Sequence, residues 1–218
     1  MNILRKLDDL IFGKYKNQYG QELKKYTNGI DSLLDLGCGS NSPVSFIKNL
    51  VPYRVGVDLF EPSVKKSIEL GIHNEYKLVN ILEIDKVFNQ NSFDMVIASD
   101  VIEHLEKSEG YKLLDLMEKL AKKRIIVLTP NGFLEQGVFD NNIYQIHKSG
   151  WEVEEFLDRG YKVYGIMGNK KLRGEYSLPK IKPNFVGNRI SYMTQDSTLN
   201  DPKKAFSIMC VKEINNNN

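Results

Sequence analysis

Residues 33–43 read Leu33-Leu34-Asp35-Leu36-Gly37-Cys38-Gly39-Ser40-Asn41-Ser42-Pro43, an apolar run followed at once by two glycines separated by one residue. Serine before proline, as at Ser42 and Pro43, is typical of the start of a helix. Glycines let the backbone turn sharply and approach a ligand, and the free N–H groups of a helix start attract negative charge. The stretch therefore predicts a nucleotide-type binding turn at the end of a strand.

The spacing of this turn excludes two common phosphate-binding motifs. The chain has no Gly-x-x-x-x-Gly-Lys sequence, and Gly-x-Gly-x-x-Gly would need glycine where Ser42 stands. The next predicted strand ends at Asp58, 19 positions after Gly39. A carboxylate at the tip of the neighbouring strand can accept hydrogen bonds from both hydroxyls of an adenosine ribose. Together, the turn and Asp58 favour a ligand that contains adenosine.

The remaining sequence alternates short β-branched runs with stretches of helical spacing, which predicts a parallel sheet with crossover helices. Asp100 to Glu103 and Ser149 to Glu152 each have the spacing of a capping box, which predicts helix starts there. The predicted strands are 32–36, 53–59, 76–80, 93–99, 124–129, 162–167 and 205–212, and the predicted helices are 42–50, 62–70, 108–122 and 151–158.

Over residues 30–215 the chain resembles the class I S-adenosylmethionine-dependent methyltransferases. The stretch 35–39, Asp-Leu-Gly-Cys-Gly, is similar to the first motif of that family, and 57–59 and 93–105 are similar to its second and fourth motifs. Residues 125–132 resemble the fifth strand and its loop. The sequence His-Lys-Ser-Gly-Trp at 147–151 is similar to a feature of the small-molecule and glycan-modifying branch.

The resemblance implies a three-layer, Rossmann-like α/β fold, with a seven-stranded, mostly parallel sheet whose last strand is antiparallel. It also implies S-adenosyl-L-methionine as the cofactor. The residues expected to bind the cofactor are Asp35, Gly37, Cys38 and Gly39 at its methionine part, Asp58 at its ribose, Leu59, Asn80 and Ile81 at its adenine, and Ser99 and Asp100 near its methyl group. The chain departs from the family at Asn41, the place of a third glycine, and at Asn80, where aspartate is usual.

The implied reaction is direct displacement, in which an acceptor nucleophile attacks the methyl group in line. A hydroxyl acceptor needs a general base, and His104 and His147 are the candidate catalytic residues; a surface role for His104 and a loop-organising role for His147 remain open. His73 is interpreted as a helix cap or surface residue. Since no two of the three histidines have ligand spacing, no metal site is expected. Cys38 and Cys210 are expected to be buried, reduced thiols.

The sequence favours a small acceptor with a hydroxyl or amine, such as a sugar or nucleotide-sugar. Nucleic acid is disfavoured because an Asn-Pro-Pro-Tyr motif and a Pro-Cys nucleophile are missing. Residues 168–204 carry eight basic and three acidic residues, which suits an anionic partner or reflects a lysine-rich composition. An RNA methyltransferase and a non-catalytic, methyltransferase-like subunit that binds a partner are the alternatives.

The length of 218 residues predicts one domain with elaborations. Residues 1–28 are expected to be a helical segment, 29–214 the methyltransferase domain with 168–204 as a basic insertion and candidate substrate cap, and 215–218 a disordered tail. The net charge is +2, and no apolar run reaches the roughly 18 residues of a membrane span. Because the first nine residues mix both charges, no secretory signal is expected, and the protein is predicted to be cytoplasmic. The sequence makes no prediction of the oligomeric state.

Overall fold

The computed structural model describes residues 10–13, 15–138 and 142–214, and a seven-stranded sheet forms its centre. The strands are β1 (Ser32–Leu36), β2 (Tyr53–Asp58), β3 (Glu75–Leu78), β4 (Phe93–Ser99), β5 (Ala121–Pro130), β6 (Lys162–Asn169) and β7 (Ala205–Glu213). Their order across the sheet is β3-β2-β1-β4-β5-β7-β6. Only β7 is antiparallel to its neighbours, β5 and β6. The predicted fold class is therefore confirmed.

Helices connect these strands. The α-helices with defined bounds are α1 (Gln18–Lys24), α2 (Glu61–Glu69), α3 (Lys107–Leu120), α4 (Val153–Leu157), α5 (Asn184–Met193) and α6 (Gln195–Leu199). Residues 10–13 and 15–16 are also helical; residues 1–9 and 14 of the predicted helical segment 1–28, and the predicted tail 215–218, lie outside the described residues. Short 3-10 helices occur at Pro43–Phe46, Ile81–Lys86, Ile102–His104, Ile143–Gln145, Lys170–Leu172, Glu175–Ser177 and Pro202–Lys204.

The sheet carries a hydrophobic core on each face, as the alternation of side chains along a strand requires. In β4, Met95 and Ile97 belong to one core, and Val96 and Ala98 belong to the other. The first core includes side chains of α1, and the second contains the apolar stripe of α3 with Trp151. The result is the three-layer arrangement that the sequence predicts.

Several helix starts differ from the sequence-based prediction. The predicted helix 42–50 is only the 3-10 helix Pro43–Phe46, because Ile47 leaves the helical region at φ −119°. The capping boxes are at Glu106 with Glu109 and at Glu152 with Glu155, so the boxes predicted from Asp100 and Ser149 are wrong. The Asp100 and Ser149 side chains therefore do not form these capping boxes and can make other contacts.

The segment 168–204 has no clear sequence period, yet it contains α5 and α6. Gln18 Oε1 accepts a hydrogen bond from the Met167 N–H at 2.9 Å, and the Tyr15 hydroxyl donates to Asp196 Oδ2 at 2.6 Å. The amino-terminal helical residues and this insertion therefore pack against each other. Among the described residues, no helix combines the length and the apolar character that crossing a membrane requires.

We expect Gly110→Ala to lower the free energy of unfolding by about 1–3 kcal/mol, although alanine is the better helix former. A Cβ atom at Gly110 would lie 2.3 Å from Cζ2 of Trp151, which is fully buried and has no free space to move into. Urea denaturation measures the change, with exposed Ser108→Ala in the same helix as the control. Unchanged stability in the Gly110 variant would contradict this packing.

Candidate functional site

The glycine turn after β1 is held by the carboxylate at the end of β2. Gly37 and Gly39 have φ values of +71° and +53°, in the left-handed region that glycine adopts without strain. Asp58 Oδ2 accepts a hydrogen bond from the Gly39 N–H, and Oδ1 accepts one from the Phe60 N–H, both at 2.8 Å. Burial raises the pKa of the Asp58 carboxyl, and these N–H donors partly counter that effect. Asp58 therefore fixes the turn and keeps lone pairs for a ligand.

A second carboxylate, Asp35, supports the turn from below. It is buried, and its Oδ2 accepts hydrogen bonds from Ser42 Oγ at 2.5 Å and from His73 Nε2 at 2.9 Å. The interpretation of His73 as a cap or surface residue is therefore wrong. Gly56 makes room for the ring, because a Cβ atom there would lie 2.9 Å from His73 Nδ1.

Two adjoining cavities, of about 300 and 310 Å³, open on this turn, and both are lined by Gly37, Gly39 and Asp100. The structure brings all ten predicted cofactor-binding residues to them. The first cavity also has Asp58, Leu59, Asn80 and Ile81 in its lining, and the second has Asp35, Cys38 and Ser99. Burial raises the pKa of the Cys38 thiol, so its side chain is a neutral part of the cavity lining. Cys38 and Cys210 are both free and buried, as predicted.

The first cavity has the polarity that an adenine ring needs. Leu59, Ile81 and Leu105 contribute apolar surface, and Asn80 stands beside them. The Asn80 Oδ1 atom accepts the Leu82 N–H at 2.9 Å, which leaves its amide NH₂ as a donor. Aspartate could not provide that donor, so the departure from the family pattern at Asn80 fits the site.

Part of the lining comes from residues that sequence analysis missed. Asn142 and Gln145 line both cavities, and Tyr144 and Lys148 line the first. They belong to the long connection after β5, where only Lys148 falls in the quoted stretch 147–151, and the length of the connection was a usable signal for the others. None of the described residues that line these two cavities comes from 168–204, and the role of that segment as a substrate cap stays a prediction.

The two candidate catalytic histidines meet beside the first cavity. The His104 and His147 rings have centroids 4.8 Å apart, and His104 lines the cavity. The Lys148 and Ser149 N–H groups both donate to the Glu103 carbonyl, at 2.8 and 3.1 Å, which ties the later loop to the end of β4. The His147 Nδ1–H donates to the Leu134 carbonyl at 2.6 Å, so its Nε2 holds the lone pair when the ring is neutral.

The surroundings of these rings favour their neutral forms. Burial, reinforced by the neighbouring His147, lowers the pKa of His104 to about 4, and burial also lowers the pKa of His147. Burial and the nearby Asp100 carboxylate raise the pKa of Glu103, whose Oε2 accepts the Thr129 hydroxyl at 3.0 Å. Both imidazoles are therefore unprotonated at neutral pH.

The same residues could hold a metal ion. Ligand atoms of Glu103, His104 and His147 all lie within 4.8 Å of one another in the described structure. A divalent ion at about 2.1 Å from each donor brings two donors to at most about 4.2 Å, so a shift below one ångström suffices. Sequence spacing hides this cluster because the fold, and not the local chain, brings His147 to the other two.

We expect the His104 ring to titrate near pH 4, measured by the pH dependence of its Cε1–H NMR signal. In the unfolded chain the ring titrates near pH 6.5, so unfolded molecules bind more protons between these values. The free energy of unfolding should therefore fall as the pH falls from about 6.5 to 4, and His104→Gln should reduce that fall. A His104 midpoint near 6.5 would contradict the burial described here.

Known proteins have sequences similar to this chain. Residues 34–134 match the sequence family described as a methyltransferase domain. An uncharacterized protein of Methanocaldococcus jannaschii is 25% identical over 189 residues, which are 84% of this chain and 75% of that protein. A ubiquinone biosynthesis O-methyltransferase of Rickettsia bellii is 26% identical over 113 residues, which are 50% of this chain and 46% of that enzyme.

A solved structure has the same fold. The crystal structure of a SAM-dependent methyltransferase from Archaeoglobus fulgidus has a TM-score of 0.59 at 19% identity. The likeness covers 97% of this chain and 100% of that one.

Proposed function

We propose that this chain is a class I S-adenosylmethionine-dependent methyltransferase that methylates a hydroxyl group of a small molecule, with His104 as the general base. The observation that carries the proposal is the neutral His104 ring on the wall of the cavity that Asp58 and Asn80 also line. A base is needed only for a hydroxyl-type acceptor. The Rickettsia bellii relative, an O-methyltransferase by name, agrees with this choice.

The residues of the site fit the cofactor. Asp58 would accept hydrogen bonds from the ribose hydroxyls, and Leu59 and Ile81 would enclose the adenine. At Gly39 a Cβ atom would have no neighbour within 4 Å, so the turn is open toward the second cavity. S-adenosylmethionine would supply a methyl group on a positively charged sulfur, and the neutral thioether that remains, S-adenosylhomocysteine, is a good leaving group. The protein therefore has to align the acceptor, exclude water and remove one proton.

His104 performs the proton transfer in this proposal. Its unprotonated nitrogen would accept the hydroxyl proton as the acceptor oxygen bonds to the methyl carbon and the carbon–sulfur bond breaks. Burial keeps the His104 ring unprotonated before the step, and burial also favours the neutral form of the neighbouring His147 ring. A sugar or nucleotide-sugar is the proposed acceptor class, because such molecules offer hydroxyl groups of the required kind.

We expect Asp58→Ala to weaken S-adenosylmethionine binding about a hundredfold in isothermal titration calorimetry, since charge-assisted hydrogen bonds to the ligand and to Gly39 are both lost. Asp58→Asn retains one acceptor oxygen and should lie between this variant and the wild type. Asp85→Ala, at an exposed ion pair with Lys119, is the matched control. Equal affinity of Asp58→Ala and the wild type would refute this binding site, as would binding of NAD alone.

His104→Gln should lower kcat by about 10²–10⁴ while cofactor affinity stays within about threefold of the wild type. The assay follows S-adenosylhomocysteine release with a panel of sugars, nucleotide-sugars and small phenols. Near-normal turnover of the variant would remove the base role. An RNA acceptor would instead reveal itself by turnover that falls steeply with salt concentration.

A divalent metal ion is the second candidate for activating the hydroxyl, and the clustering of Glu103, His104 and His147 favours it. A bound ion lowers the pKa of a coordinated hydroxyl without a base. Calorimetric titration with Mn²⁺ separates the two ideas. Metal binding that His147→Ala abolishes, with turnover that EDTA stops, would favour the ion; full activity in EDTA would leave His104 as the base.

A further inference from the structure

A third cavity, of about 270 Å³, lies between the amino-terminal helical residues and the insertion 168–204. It has its own lining, which includes Tyr19, Arg173 and Gln195. The Tyr19 hydroxyl is hydrogen-bonded to Ser99 Oγ at 2.7 Å, and Ser99 lines the second cavity of the glycine turn. A single hydrogen-bonded pair therefore connects this cavity with the proposed methyl-donor side.

The cavity contains a buried cation whose partners are all neutral. Arg173 is 6% exposed, and its Nε donates to the Met167 carbonyl and to Ser191 Oγ, both at 3.0 Å. Its Nη1 donates to the Ser177 carbonyl at 2.7 Å and to Asn188 Oδ1 at 3.4 Å. Within the described residues, Nη2 makes no hydrogen bond and no carboxylate pairs with the guanidinium. A buried charge without a counterion is costly, so the fold retains Arg173 against a penalty.

A second polar atom in the cavity also has no partner. Gln195 is 2% exposed, and its Oε1 is buried without a hydrogen bond to any described residue. Asp196, beside it, already accepts the Tyr15 hydroxyl at 2.6 Å. Orphaned buried acceptors are rare in folded proteins, and an O–H or N–H group of a ligand would satisfy this one. The lining of the cavity thus includes both a cation and an acceptor without a partner among the described residues.

We propose that this cavity binds the anionic group, a carboxylate or a phosphate, of the methyl acceptor, with Arg173 as the counterion. The proposal rests on the proposed function and narrows its substrate class to small anionic molecules that also carry a hydroxyl. Arg173 presents the Nη2 edge of a planar fork that suits either anion, and Gln195 Oε1 accepts a hydrogen bond from the same ligand. The Tyr19–Ser99 hydrogen bond links this cavity to the second cavity of the glycine turn.

The test supplies Arg173 with an internal counterion. Asn188→Asp places a carboxylate next to Nη1 without changing side-chain size, and it preserves the hydrogen bonds that Arg173 makes within the fold. Asn184→Asp adds the same charge to the same helix, at an exposed position that does not line the cavity, and is the matched control. Inorganic phosphate and benzoate, titrated by calorimetry at constant ionic strength, are the probes for the two anion classes.

The wild type should bind one of the two probes saturably, with a Kd in the millimolar range or below. Asn188→Asp should weaken that binding at least tenfold, and Asn184→Asp should change it less than twofold. Saturable binding of neither probe, or equal binding by Asn188→Asp and the wild type, would overturn the proposal. S-adenosylmethionine is titrated in parallel. Cofactor binding without anion binding overturns this inference alone, and anion binding without cofactor binding overturns the proposed function.

Discussion

The hydrogen bond from the Gly39 N–H to Asp58 Oδ2 is the interaction on which the site depends. It joins the turn after β1 to the tip of β2, so the two strand ends that a cofactor would contact are fixed relative to each other. The turn itself needs left-handed dihedrals at Gly37 and Gly39, which a side chain would disfavour. Asp35, held by Ser42 and His73, fixes the other side of the same turn. The two cavities form around this rigid element.

Burial then sets the charges around the turn. Burial lowers the pKa of His104 and His147, and burial together with the nearby Asp100 carboxylate raises the pKa of Glu103. Neutral imidazoles accept protons and bind metal ions, so the same environment serves both proposed routes to an activated hydroxyl. Arg173 differs from these groups, because a guanidinium stays charged when buried and is stabilised by an anion.

The sequence predicts local features well and tertiary encounters poorly. β1 and β4 agree residue for residue with the predicted strands because their apolar runs end at clear turn signals. The predicted helix 42–50 is only a short 3-10 helix, because the backbone leaves helical dihedrals at Ile47 despite the cap at Ser42. His73 looks like a surface residue because the space left by Gly56 cannot be read from one strand alone. The contact between the His104 and His147 rings depends on loops whose paths no local pattern encodes. The same is true of the burial of Arg173 without a carboxylate partner among the described residues.

A crystal structure with S-adenosylhomocysteine bound tests the central claim most directly. The account predicts adenine between Leu59 and Ile81, both ribose hydroxyls within hydrogen-bond distance of the Asp58 carboxylate, and the Gly37–Gly39 turn unchanged. Adenosine bound elsewhere on the molecule, or a turn that moves away from Asp58 to admit it, would contradict the account.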